Sequence, residues 1–294
     1  MSSLAIHAQP DIVFAEECEH PANRGESPVS VLHVRLALGD LMLVADGGES
    51  SPESSFASRM VAEHFYAHLS ALPPDYPADN AMRESAVRAN AGILAVASEP
   101  DSSLRGARST VVAALLQQDG DITHAWIAHI GDSRAYLLRA GRMHQLTTDH
   151  TRVQEMVDRK IISAAEALHH PEAAVLTRSL GQRLVVEVEI EQVPLAVGDT
   201  LLLCSGGLWR RVPGLEIQAA ADSATADSAG QNLLALALAA GGRDGVGIEI
   251  ARIILPAAAR RQRHREHPPI SLGVILTVFV LAVAGVVALI WYLM

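Results

Sequence analysis

Residues 127–163 read IAHIGDSRAYLLRAGRMHQLTTDHTRVQEMVDRKIIS, and this stretch decides the fold. Its start completes an apolar run, Ile122–Ile130, that reads as a strand. Asp132 falls at the end of that strand, before a tight turn. Ala135–Arg139 reads as the next strand, and Arg142–Leu146 pairs with it across the Ala140-Gly141 turn. After Asp149-His150 the pattern becomes helical and polar over residues 151–170, ending near Pro171.

Towards the N-terminus, VLHVRLAL (31–38) and LMLVAD (41–46) read as two strands around a Gly39-Asp40 turn. Residues 53–71 and 79–98 read as two amphipathic helices, separated by Pro73-Pro74. Ser109–Gln117 is a further strand, and residues 1–30 are polar and irregular with room for a first strand. Towards the C-terminus, Leu184–Gln192 and Thr200–Cys204 read as strands, 214–221 and 226–240 as helices, and Gly245–Ile254 as the last strand. Strands come in blocks with pairs of helices between them, which argues for antiparallel sheets with helices packed outside.

The remaining bulk properties narrow the class. The chain has 294 residues and a formal net charge of −10, with two cysteines. Cys18 and Cys204 are far apart and lack metal-type spacing, which fits a reducing cytosolic compartment. No basic region followed by an apolar run opens the chain, so no signal peptide is expected. Residues 260–294 carry four arginines and one glutamate, a net of +3, which leaves −13 on the rest. A domain this acidic is not built to bind nucleic acid; small ligands or proteins are the expected partners.

Residues 270–294, ISLGVILTVFVLAVAGVVALIWYLM, contain no charged side chain. About 20 apolar residues suffice to span a hydrocarbon core as a helix, and Trp291 and Tyr292 suit the interface at its end. Arg260, Arg261, Arg263 and Arg265 lie just before it. Basic flanks stay cytoplasmic. The expectation is therefore a domain over 1–258, a basic juxtamembrane linker over 259–269 and a transmembrane helix over 270–294. That makes a single-pass, C-terminally anchored inner-membrane protein whose N-terminal domain is cytoplasmic.

Four segments, in order, carry a resemblance: LMLVADGG ending at Asp46-Gly47, GARSTVVAALL from Gly106, the opening stretch continuing into HHPEAAVLTRSLG, and the pair GDTLLLCSGGLW and GGRDGVGIEIARI. This series resembles the bacterial branch of the protein phosphatase type 2C family, over roughly residues 10–256. The resemblance implies an α+β fold, a four-layer α-β-β-α sandwich of two antiparallel sheets flanked by helices. It also implies metal-dependent hydrolysis of phosphoserine and phosphothreonine by a water activated on two magnesium or manganese ions. Hard divalent cations take carboxylate and carbonyl oxygen, and the carboxylates must converge from several strand ends.

By that resemblance Asp46 is a metal-bridging carboxylate and Gly47 offers a backbone carbonyl. Asp132 helps hold a third ion, and Asp244, in GGRDG, is the last ligand. Read without it, Asp46 suits a strand-end turn, Asp132 a hairpin and Asp244 a loop. Arg24 takes the place of a phosphate-gripping arginine, or is a solvated loop residue, and Glu26 that of an acid beside the metal waters.

The same resemblance marks three departures. Gly206 stands where the family has a ligating aspartate, and Ser27 replaces another acid. After Asp46 the chain runs DGGESS instead of DGMGG. Scaffold residues survive better: GDSRAYLL, LTTDH, LTRSLG and GGRD are kept. Two functions follow as expectations. One is a membrane-tethered protein serine/threonine phosphatase using magnesium or manganese at reduced occupancy. The other is a pseudophosphatase with lost metal ligands that binds a phosphoprotein or regulatory protein without hydrolysis, or a metal-independent scaffold at the membrane.

Overall fold

The computed structural model describes residues 10–19, 27–49, 51–99, 101–120, 122–241 and 245–255. In chain order these form β1 (Asp11–Glu19), β2 (Val29–Leu36), β3 (Gly39–Asp46), α1 (Pro52–Ser70), α2 (Ala78–Ala97), β4 (Thr110–Asp119), β5 (Ile122–Ile130), β6 (Arg134–Arg139) and β7 (Arg142–Gln145). There follow α3 (Arg152–Asp158), α4 (Ala164–Ala167), β8 (Glu189–Leu195), β9 (Thr200–Cys204), α5 (Gly206–Trp209), α6 (Gly214–Ala221), α7 (Ala226–Ala239) and β10 (Val246–Ile254).

The strands make two five-stranded sheets, ordered β1-β10-β9-β6-β7 and β2-β3-β4-β5-β8, with every named pair antiparallel. The reason is visible in β3, where Leu41 to Ala45 are all fully buried. Successive side chains point to opposite faces of a strand. Leu41, Leu43 and Ala45 therefore pack with Val61, Phe65, Met82 and Ile93 from α1 and α2. Met42 and Val44 turn the other way, into a core shared with Leu201, Leu203, Ala251 and Ile253 of the other sheet. That sheet repeats the arrangement: Leu202, Cys204, Ile248 and Ile250 pack under Ile217, Ala229 and Leu233. Strands apolar on both faces need cover on both, and the four-layer sandwich supplies it.

Several helices start at side-chain caps. Ser51 caps α1 by accepting from Ser54 N–H, and Thr225 caps α7 in a reciprocal box with Ser228. Three expectations shift. The β2–β3 turn is Ala37-Leu38, so Gly39 opens β3 opposite Leu36, with φ +149°. A Cβ at Gly39 would collide with the Leu116 carbonyl of β4. The helical stretch 151–170 splits into α3 and α4, because Lys160 is left-handed (φ +58°) and Ser163 starts a new helix with its own capping box. β8 begins at Glu189 instead of Leu184: the Asn90 amide on α2 donates to the carbonyls of Arg183 and Leu184, and Leu184 and Val185 stay exposed.

Among the described residues no helix is long and apolar enough to cross a membrane. The expected linker and span at 259–294 lie outside the described residues, as do Arg24, Glu26 and Asp244.

Candidate metal centre

Antiparallel pairing brings the C-terminal ends of β3, β5 and β9 to one end of the sandwich. Asp46 closes β3, paired with Val29 of β2 and Thr110 of β4. Its carboxylate is buried and accepts the Gly48 N–H at 2.7 Å. This turn answers the DGG departure. Gly48 takes φ +93°, open to glycine, and folds its amide back onto Asp46. Gly47 is pinned as well: its N–H donates to Pro28 at 2.9 Å, and a Cβ there would run into the Ser54 backbone at the start of α1.

Asp132 lies one residue beyond Gly131 in the β5–β6 turn and is 1% exposed. Gly131 has φ +107°, and a Cβ on it would strike the Thr110 side chain. Thr110 joins the two aspartate turns. Its hydroxyl lies 3.3 Å from the Asp46 carbonyl oxygen and 2.7 Å from the Ser133 hydroxyl.

Arg210, absent from the sequence-based site, reaches Asp132. Its guanidinium pairs with the Asp132 carboxylate through Nη2. Trp209 Nε1 donates to the Asp132 carbonyl at 2.9 Å. The Trp209 ring has the Arg134 guanidinium 3.3 Å from its centroid and that of Arg210 at 5.5 Å. Arg134 in turn forms a two-point ion pair with Asp149, at 2.8 and 2.6 Å. Burial works against the Arg134 charge, but its bonds to Asp149 and Tyr136 prevail and raise its pKa. Burial also raises the Asp149 pKa against the pull of Arg134.

The Gly206 and Ser27 positions supply no replacement carboxylate. Ser205 uses its hydroxyl on the backbone, donating to Gly245 O at 3.2 Å and accepting from Gly247 N at 3.0 Å. The Ser27 hydroxyl accepts the Val29 N–H at 3.2 Å. The donor set is therefore uneven. The Asp46–Gly47 turn offers a buried carboxylate and fixed backbone oxygen, which fit magnesium or manganese. The Asp132–Gly206 side does not fit a further ion: Gly206 has no side-chain oxygen, and the Asp132 carboxylate already has a cation.

A second cluster sits behind the turn. His129, His150 and Glu189 bring ligand atoms within 4.8 Å of one another. Gly131 N–H donates to His150 Nδ1 at 3.0 Å, which leaves the proton on Nε2, 2.9 Å from Glu189. A metal on Nε2 would displace that proton to Nδ1, against the Gly131 amide. Arg178 also stands 3.3 Å from Nε2 and 2.9 Å from Glu189. The cluster therefore ties the segment after Asp149 to β8 and does not hold a cation. His129 is buried beside His150, with ring centroids 4.7 Å apart. Burial and the neighbouring His150 lower its pKa to about 3.

Two helix-covered antiparallel sheets thus bring the buried Asp46 and Asp132 turns to one end of the domain. The family model for protein phosphatase 2C matches residues 30–239, and the chain belongs to that family. It is 35% identical over 181 residues to the serine/threonine phosphatase stp of Listeria monocytogenes, covering 60% of this chain and 70% of that one. The Mycobacterium tuberculosis serine/threonine phosphatase PstP/Ppp superposes with a TM-score of 0.72 at 31% identity, over 83% of this chain and 99% of that one. The catalytic domain of PstP in complex with 2 manganese ions superposes at 0.71 with 29% identity, over 83% and 98%.

Proposed function

We propose that this chain is a membrane-tethered protein serine/threonine phosphatase, whose domain faces the cytoplasm and removes phosphate from a partner protein held at the inner membrane. The Asp46 turn supports this reading most directly: a buried carboxylate and a pinned glycine at a strand end, in a family whose sequence relatives are serine/threonine phosphatases. A divalent magnesium or manganese ion, when bound, would supply Lewis-acid stabilisation and an acidified water. The chain's own part is to hold Asp46 and the Gly47 carbonyl still. The full-length chain in detergent, given manganese and a phosphothreonine peptide, should release phosphate, and Asp46→Ala should stop it. Absence of turnover in the wild type, or turnover that survives Asp46→Ala, would sink the reading. The tether rests on residues 259–294. Chains ending at residue 258 should leave the membrane fraction, and chains that stay there count against it.

The Arg210–Asp132 pair beside Gly206 favours a second reading, a pseudophosphatase that binds a phosphoprotein or regulatory protein, or acts as a scaffold, without hydrolysis. Stable capture of a phosphothreonine peptide by a wild type that never hydrolyses it would select this reading over the first.

A further inference from the structure

We propose that the Arg210 guanidinium is a built-in cation that replaces a metal ion at Asp132, so that the chain takes up divalent metal on the Asp46 side alone. This rests on the metal site of the phosphatase reading, but not on turnover.

The geometry begins with α5, a single helical turn. Arg210 N–H donates to Gly206 O at 3.2 Å, so residue 210 follows residue 206 by one turn. Residues four apart share a helix face, and the Arg210 side chain folds back over Gly206. A Cβ built on Gly206 would lie 2.8 Å from Arg210 Cζ, 2.9 Å from Nε and 3.1 Å from Nη1. The guanidinium therefore fills the space that any side chain at 206 would enter.

Among the described residues, Asp132 and Trp209 anchor it there. Nη2 pairs with Asp132 Oδ2, and Asp132 is 1% exposed against 31% for Arg210. The Trp209 ring lies alongside, itself fixed by its indole bond to the Asp132 carbonyl. An ionised buried carboxylate needs a counter-charge or hydrogen-bond donors. Arginine is suited to give a permanent one, because its guanidinium does not lose its proton in proteins. The missing oxygen at Gly206 and the cation from Arg210 are thus one change. Loss of the side chain opens the room, and the guanidinium both uses the room and neutralises the acid left behind. A doubly charged ion brought beside Asp132 would meet like charge, and Asp132 itself is already paired.

Restoring the acid alone should therefore fail. In Gly206→Asp the new carboxylate emerges against the guanidinium and pairs with it. Manganese should be counted by calorimetry and by its paramagnetic resonance on the full-length chain in detergent, with circular dichroism to confirm folding. The wild type should bind one ion, and Gly206→Asp still one. Gly206→Asp combined with Arg210→Gln should bind two, the second at least about tenfold tighter than any second ion in either single variant. Two tight ions in the wild type, or a second ion gained by Gly206→Asp alone, would overturn the proposal. So would a folded double variant that gains none. If the double variant does not fold, the wild-type and Gly206→Asp counts still decide. Ion counts do not depend on hydrolysis: an inactive wild type with one ion ends the phosphatase reading and supports this one.

Discussion

Asp46 and Asp132 are both buried carboxylates in turns at the same end of the sandwich, joined through Thr110, yet they are stabilised in opposite ways. Asp46 takes a backbone amide, from Gly48, within a turn that glycines hold open. Asp132 takes a whole cation, Arg210, fixed by Trp209. The difference teaches that the two halves of this candidate site, the Asp46 turn and the Asp132 turn, meet the burial of a carboxylate separately. One half keeps the shape that suits an ion, while the other carries its positive charge in the covalent chain.

The largest expected effect comes from breaking the Asp46 half. Asp46→Ala removes the carboxylate of the half that fits an ion. Metal stabilisation of phosphoryl transfer is worth several kcal/mol, so phosphopeptide hydrolysis with manganese should fall by about a thousandfold. A fall of only a few-fold would mean that Asp46 does not lie at the reaction centre.

The next effect is on stability, and it sharpens the Asp132 half. Arg134 and Asp149 form a second arginine–aspartate pair next to Arg210–Asp132, sharing the Trp209 ring. Asp149→Ala strands a buried guanidinium, which should cost about 3 kcal/mol or more in urea unfolding. Arg210→Gln leaves an amide that can still donate to the buried Asp132 carboxylate, so it should cost less. If the order were reversed, the Arg210 pair would be the deeper anchor.

Each sheet also holds a deeply buried ionisable group that burial keeps neutral, His129 in one and Glu249 in the other, and the two act in opposite pH ranges. His129, on β5, has its pKa lowered from 6.5 to about 3. Between these values the unfolded chain binds more protons, so stability falls as pH drops below 6.5. Glu249, on β10, is raised from 4.5 to about 9 by burial and by the facing Glu16. Here the folded chain holds the proton, so stability falls as pH rises from 4.5 towards 9. His129→Asn should flatten the acid limb of melting temperature against pH, and Glu249→Gln the basic limb. Parallel curves for either variant and the wild type would refute the corresponding assignment.

Much of this was legible in the sequence because it is local. The strand boundaries Ile122–Ile130 and Thr200–Cys204, the hairpin at Ala140-Gly141 and the two long helices all follow from patterns a few residues long. The departures that the resemblance marks at Gly206 and Ser27 are single letters of the sequence. What fills the space was not legible. Arg210 meets Asp132 across 78 residues, and the clue in SGGLWRR, an arginine four places after a glycine, has meaning only once that turn is known to be helical. The split of 151–170 was hidden because nothing in the residue type of Lys160 demands a left-handed backbone.

The smallest effect should come from the bridge between the halves. The Thr110 hydroxyl has one proton. If it goes to the Asp46 carbonyl, Ser133 must give its own to Thr110, and the chain of bonds runs from the β5–β6 turn to the end of β3. Thr110→Val keeps the methyl that packs on Gly131 and removes only the hydroxyl. The Ser133 hydroxyl and the Asp46 carbonyl each lose a partner, and the net cost should be about 1 kcal/mol in urea unfolding. Manganese affinity reports what stability does not. A bridge that aligns Asp46 should weaken manganese binding when cut, even though no metal-binding oxygen is removed. Unchanged affinity with the same loss of stability would make Thr110 a packing residue, and the two halves independent in function as well as in chemistry.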